Sequence, residues 1–168
     1  MSIIKRAIPD NQEIFVAPAT SSSVEADEPR PVALFVDVLE AAIDANPDMA
    51  AAPHFHATEV LKRDERVAEA ESLAPAPATV VELPMDVRAQ GGDGVTATCA
   101  TFAACDLEVC VVRLPRVGTD LVLSLHGRNG RPDVGPSLAE IVTSLEVLDW
   151  GLFGGEAQAE EEQQQPPP

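Results

Sequence analysis

The sequence is poor in aromatic residues, with five Phe, one Trp and no Tyr among 168 residues. The hydrophobic fraction of 45% overstates the core, because many of these residues are Ala. Val, Leu and Ile must therefore supply most of the side-chain volume of the core. There is no run of about 18 apolar residues, which predicts that no helix spans a membrane. The first residues, MSIIKRAIPDNQ, lack the apolar stretch of a secretion signal. A chain of this length predicts one domain with a hydrophobic core.

Basic residues are also scarce, with 11 Lys and Arg against 28 Asp and Glu and a formal net charge of −17. Such a chain would repel phosphates, which predicts no nucleic-acid partner and no membrane partner and favours a basic protein surface. The only lysines are Lys5 and Lys62, and neither follows a glycine. This excludes the Gly-rich loop and lysine of a P-loop nucleotide site. We expect no cofactor.

Cysteine occurs three times, at Cys99, Cys105 and Cys110, without metal-ligand spacing. The odd count predicts free thiols in a reducing compartment and excludes a disulfide scaffold. None of the three lies in a nucleophile elbow, so thiol catalysis is not expected. His54 and His56 would point to different sides of a helix, which makes them a poor metal pair. A hydrolase that uses these histidines with carboxylates is a remote alternative.

Two helices are predicted from turn and capping signals. One opens at Asn46-Pro47-Asp48 and extends to about Glu71, and Pro53 must kink it or start it afresh. The other follows Ser137, which forms a capping box with Glu140. Its apolar residues repeat with the helical period, so it should lie on a sheet.

Strands are predicted from β-branched and apolar runs separated by turns. A two-residue hairpin is expected at Cys105-Asp106 and a longer turn at Pro115–Gly118. Successive hairpins make an antiparallel meander, which gives an α+β fold of five or six mostly antiparallel strands with flanking helices. The predicted strands are 13–17, 32–40, 79–83, 95–104, 107–114 and 119–125.

The last residues, 155–168, are of low complexity and contain no apolar residue larger than Ala. Such a segment cannot repay the entropy of ordering, so the sequence predicts a disordered tail after one folded domain of residues 1–154. Four glutamates lie in this tail, which leaves a charge of −13 on the folded part.

Acidic residues mark the boundaries of two predicted strands. Asp37 and Glu40 lie near the end of an otherwise apolar strand, and Asp10 and Glu13 flank Asn11 and Gln12 at the start of the strand before it. Charged residues at strand ends are often only solvated. A cluster of acids at a rigid sheet edge could instead bind Lys or Arg of a partner. The pattern leaves both interpretations open.

Five segments in order resemble the Ran-binding Mog family, the Ran guanine nucleotide release factors. They are similar to that family's PDNQEVF, IVELLE, HF, RLP-x-x-x-TDLLI and SL-x-x-x-D-x-x-LF segments. Each segment alone is moderately specific, whereas the ordered set is specific. The matching residues are 9–15, 35–40, 54–55, 113–124 and 144–153.

This resemblance implies an α/β sandwich with a central, largely antiparallel sheet, a fold shared with PsbP-like proteins. It implies a monomeric, non-enzymatic protein of nucleus and cytoplasm that binds Ran and promotes release of its nucleotide. The alternative is an interaction module of the same fold with another partner. Family members begin with a further strand, LFGGA, which the eight residues before Pro9 do not contain. The resemblance therefore implies that the family's first strand is missing.

The resemblance also implies which residues bind Ran. Asp37 and Glu40 match acidic residues that are important for Ran binding in the family, and the PDNQE segment should lie beside them. Replacement of both acids by Lys is expected to abolish binding and leave the fold intact. The implied Ran-binding residues are Asp10, Asn11, Gln12, Glu13, Asp37 and Glu40.

Overall fold

The computed structural model of the chain describes residues 12–17, 31–41, 48–128 and 135–150. Six strands form one antiparallel sheet in the order β1-β2-β6-β5-β4-β3. The strands are β1 Gln12–Ala17, β2 Val32–Glu40, β3 Thr79–Val81, β4 Thr96–Phe102, β5 Leu107–Leu114 and β6 Thr119–His126. The helices are α1 Ala52–Arg63, α2 Val67–Ser72, α3 Met85–Gly91 and α4 Leu138–Thr143.

The predicted α+β class is confirmed. The apolar side chains of the central strands form the core of the domain. Six of the eight residues of β5 are apolar, which is typical of a strand buried on both faces. On one face, Val112 and Leu123 pack with Val87 of α3 and Val142 of α4. We call this the α4-side face.

The other face of the sheet lies under α1, and we call it the α1-side face. Val109, Val111 and Val122 pack there with Val60 and Leu61 of α1. Because side chains alternate along a strand, odd positions of β5 belong to this face and even positions to the α4-side face. The sheet is therefore covered by helices on both faces.

The long first helix was predicted incorrectly as one element. The structure has two helices, because α1 ends at Arg63 and Glu65 takes a positive φ of 62° before α2 begins. Pro53 lies in the first turn of α1, where its missing N–H costs no hydrogen bond, so the helix starts afresh there. Asn46 and Pro47 lie outside the described residues.

Helix α4 forms as its capping box predicts. The Glu140 backbone N–H donates to Ser137 Oγ at 3.3 Å, and the Ser137 N–H donates to Glu140 Oε2 at 2.7 Å. The hydrogen bonds that Ser137 donates hold the pKa of the Glu140 carboxyl below its ordinary value. Leu138 and Val142 are buried against the sheet, as the helical period indicates.

The β4–β5 connection corrects the prediction of free thiols. Instead of a two-residue turn at Cys105-Asp106, a 3-10 turn and a left-handed Asp106 connect Phe102 to Leu107. This register sets Cys99 opposite Cys110, and the two form a disulfide bond. Cys105 is the free, buried cysteine. The predicted boundaries of β2 and β5 and the turn at 115–118 are confirmed.

Candidate protein-binding surface

Pairing of β1 with β2 brings the described members of the predicted Ran-binding set to one corner of the sheet. Gln12 lies opposite Asp37, and Glu13 lies opposite Val36. Glu40 is the last residue of β2. We call the segments 12–15 and 34–40 the β1–β2 corner. Asp10 and Asn11 lie outside the described residues, as does the side chain of Gln12.

The two acids of β2 lie on opposite faces of the sheet. They are three residues apart, and a strand presents successive side chains to alternate faces. Val36 and Val38 belong to the α4-side core, which places Glu40 on the α4-side face and Asp37 on the α1-side face. A partner that binds one face of the sheet cannot contact both carboxylates there.

Asp37 is engaged within the molecule. Its side chain is buried, and Arg63 of α1 donates a hydrogen bond from Nη1 to Asp37 Oδ1 at 3.0 Å. The interpretation that Asp37 is only a solvated residue at a strand end is therefore wrong. Lysine at this position would place an ammonium group beside the Arg63 guanidinium, so we now expect the double lysine variant to lose stability.

Glu13 and Glu40 are exposed and share the α4-side face. Glu13 lies opposite Val36, and Glu40 is four residues further along β2. The backbone positions of Glu13 and Glu40 are therefore about 13 Å apart along the strand direction. Phe15 lies on the same face, opposite Leu34. These two carboxylates are therefore accessible to cationic side chains of a partner.

A second ion pair lies beneath α1. Arg113 donates from Nε and Nη2 to the two carboxylate oxygens of Asp120, both at 2.8 Å, and both residues are buried. Hydrogen bonding to Asp120 raises the pKa of Arg113. His56 of α1 is buried close to this pair, and burial lowers its pKa. The imidazole therefore stays neutral next to the ion pair at neutral pH.

The histidines and the free cysteine do not form a hydrolytic site. His54 Nε2 lies 3.0 Å from the carbonyl oxygen of Leu73, and His56 is buried beneath α1. A pocket of about 510 Å³ contains Cys105 and His126, but burial raises the pKa of the Cys105 thiol. A thiol of raised pKa is a poor nucleophile. Arg66 beside the pocket is paired with Glu69 and with the carbonyl of Cys105.

Metal ligation and membrane insertion have no candidate element within the described ranges. No group of three or more His, Cys, Asp or Glu residues in these ranges is arranged to hold a metal ion. Of the described helices, none has the length and hydropathy to cross a membrane.

Sequence reasoning missed Phe15 of the β1–β2 corner and Arg63, which contacts the corner from α1. Arg63 pairs with Asp37 only because α1 packs across the sheet, and no local pattern indicates that packing. The PDNQEVF-like motif assigns Phe15 no role of its own, although this residue is 57% exposed on an edge strand. The scarcity of aromatic residues was the signal that could have drawn attention to it.

Comparisons with known proteins give a family and a weak structural likeness. A search of curated proteins finds no match. A solved structure of a mutant of the protein Mog1 is similar at 18% identity and a TM-score of 0.35. That alignment covers 72% of this chain and 63% of the other, so the chain spans less than two thirds of that structure.

The family comparison extends over most of the chain. The family model described as Ran-interacting Mog1 protein matches residues 2–127. This range includes all six strands and α1 to α3, and it ends one residue after β6. The chain belongs to the family of Ran-interacting Mog1 proteins.

Proposed function

We propose that this protein binds the small GTPase Ran and promotes release of its guanine nucleotide, in support of transport between nucleus and cytoplasm. The observation that carries the proposal is the family match over residues 2–127, since that family is described as Ran-interacting. The proposed activity involves no bond chemistry and no cofactor. The protein would act as a monomer in nucleus and cytoplasm.

Nucleotide release has a thermodynamic requirement. A binding protein displaces the nucleotide only if it has higher affinity for the nucleotide-free GTPase than for the loaded one. The exposed carboxylates of Glu13 and Glu40 could supply this difference. They would pair with basic groups of Ran that otherwise neutralise the phosphates of the nucleotide.

Asp37 has a different role in this proposal from that of the exposed acids. Because its carboxylate is paired with Arg63, it fixes α1 relative to β2. We infer that Asp37 supports the β1–β2 corner and that Glu13 and Glu40 make the direct contacts. Asp10, Asn11 and Gln12 belong to the same proposed Ran-binding set.

The net charge of −17 supports fast association with a basic surface. We expect the association rate constant to fall as salt concentration rises, because salt screens long-range attraction between exposed charges. Stopped-flow measurements from about 50 to 300 mM salt would measure this dependence. An association rate that does not change with salt would contradict electrostatic steering.

The test of the site uses charge reversal at the β1–β2 corner. We expect Glu13→Lys/Glu40→Lys to weaken binding to Ran at least about tenfold in calorimetry, because contacts of both carboxylates are lost. The control is Glu71→Lys/Asp93→Lys, which changes net charge equally at exposed positions of α2 and of the turn after α3. We expect this control to keep its affinity within about threefold.

Two outcomes would contradict the proposal, and one further variant needs a stability control. Equal weakening by both double variants would mean that only net charge matters, which would contradict the assigned site. Asp37→Asn should lower stability, so its circular dichroism melt must accompany its affinity. A wild-type chain that does not bind Ran would contradict the proposed function and leave an interaction module with another partner.

A further inference from the structure

Phe15 is a large apolar side chain that folding leaves exposed. It is 57% exposed in β1, an edge strand of the sheet, although the chain contains only five Phe. Burial of an aromatic ring removes 150–250 Å² from water, as a rough range, so a partner that covers the ring gains substantial transfer free energy. Aromatic residues, Phe among them, are enriched at protein–protein interfaces, whose rims are polar.

The surroundings of Phe15 favour a protein partner with a basic rim. Phe15 shares the α4-side face with Glu13, two residues away, and with Glu40 of β2. The distance from the Phe15 position to the Glu40 position is about 20 Å along the sheet, which fits within one interface of ordinary size. An apolar side chain flanked by accessible carboxylates is complementary to an apolar pocket bordered by Lys and Arg.

The position of Phe15 is also held by the fold. Its cross-strand neighbour Leu34 is partly buried and packs against the α4-side core. Directly opposite residues in an antiparallel pair contact each other, so this contact restricts the orientation of the ring before any partner binds. Preorganisation of this kind reduces the entropy lost on association.

We propose that Phe15 is the apolar anchor of the β1–β2 corner, inserting into an apolar pocket of the partner whose basic rim pairs with Glu13 and Glu40. This inference rests on the proposed function, because it names a further binding residue of the same surface. It assigns affinity mainly to burial of the ring and assigns the salt dependence to the two carboxylates.

The experiment compares Phe15→Ala with Val16→Ala in the full chain. Val16 is the next residue of β1, is 60% exposed and points to the α1-side face, so it controls for loss of apolar surface from the same strand. By calorimetry with purified Ran, we expect Phe15→Ala to lose at least about tenfold in affinity. We expect Val16→Ala to stay within about twofold, and Phe15→Leu to lie between wild type and Phe15→Ala.

Salt dependence separates the two parts of the surface. Phe15→Ala should keep the wild-type slope of affinity against salt, whereas Glu13→Lys/Glu40→Lys should flatten it. Circular dichroism melts would verify that each variant folds. Equal affinities of Phe15→Ala and wild type would overturn the anchor while the proposed function stands.

Two further results would overturn the proposal by other routes. If wild type does not bind Ran in the same titration, the proposed function fails and the anchor fails with it. Sedimentation of the isolated chain provides the second check. A dimer that Phe15→Ala converts to a monomer would assign the ring to a second copy of the chain rather than to a different partner.

Discussion

Two ion pairs lie between α1 and the sheet. Asp37 pairs with Arg63, and Asp120 pairs through two hydrogen bonds with Arg113. A buried ion pair contributes little beyond an apolar pair of similar volume, but removal of one partner leaves a buried charge. Asp37 of β2 and Asp120 of β6 therefore tolerate substitution less well than the exposed Glu40 of β2.

Removal of the Asp120 carboxylate should be severely destabilising. We expect Asp120→Ala to lower the free energy of unfolding by about 3–5 kcal/mol, because Arg113 is then left buried without its partner. Urea denaturation followed by circular dichroism would measure this. The double variant Arg113→Met/Asp120→Leu should cost less than the single substitution, and a larger cost would contradict the explanation.

His56, which is buried, and His126, which is partly buried, predict how stability changes with pH. Burial lowers the folded-state pKa of His56 and of His126 below the ordinary value of 6.5. The unfolded chain then binds more protons than the folded one, so stability is present above about pH 6.5 and is lost as pH falls below it. We expect the urea concentration at the unfolding midpoint to be lower at pH 5.5 than at pH 7.5. The difference should be smaller in His56→Asn/His126→Asn. An equally steep decrease in that variant would contradict this origin.

At the scale of elements, the hairpin between β4 and β5 carries a covalent link. The connection from Phe102 to Leu107 sets the register that places Cys99 opposite Cys110. A two-residue turn would have placed Cys99 opposite Val112 instead. The length of the β4–β5 connection therefore determines whether Cys99 and Cys110 lie opposite each other.

Alkylation of the denatured chain tests this link. Without reductant, iodoacetamide should label one cysteine, Cys105, because the other two are bonded. After reduction, three labels should appear in the intact mass. Three labels without reduction would contradict the disulfide.

Local chemistry explains which elements the sequence predicts. The turn at 115–118 was predicted correctly, because Pro115 starts it and Gly118 adopts a positive φ of 58°. The capping box of α4 was likewise predictable from Ser137 and Glu140. In contrast, α3 has no side-chain cap and only seven residues, so nothing in its sequence distinguished it from a loop.

The candidate site was predictable only in part. Its residue types and their neighbourhood follow from the motifs, and the register places Gln12 opposite Asp37. The burial of Asp37 depends on Arg63, which reaches it from a distant helix. Long-range packing of that kind has no local sequence signal. The separation of Asp37 from Glu40 by the sheet, in contrast, follows from their three-residue spacing on one predicted strand.

At the scale of the whole molecule, the covered centre of the sheet contrasts with its β1 edge. Helix α1 packs against β4 and β5, and α4 packs against β3, β5 and β6, whereas β1 packs mainly against β2. Among the described helices, α1 reaches the β1–β2 corner through the Arg63–Asp37 pair, while Glu13, Phe15 and Glu40 of the corner are exposed. Together with a charge of −17, this arrangement favours recognition of a basic protein surface at that corner.

The most direct test is release of a fluorescent guanine nucleotide from purified Ran, with and without the full chain. We expect release to accelerate in proportion to the concentration of the chain until it saturates, and Glu13→Lys/Glu40→Lys to accelerate it much less. The Glu71→Lys/Asp93→Lys variant should behave as wild type. No acceleration by a wild-type chain that is folded by circular dichroism would contradict the proposed function.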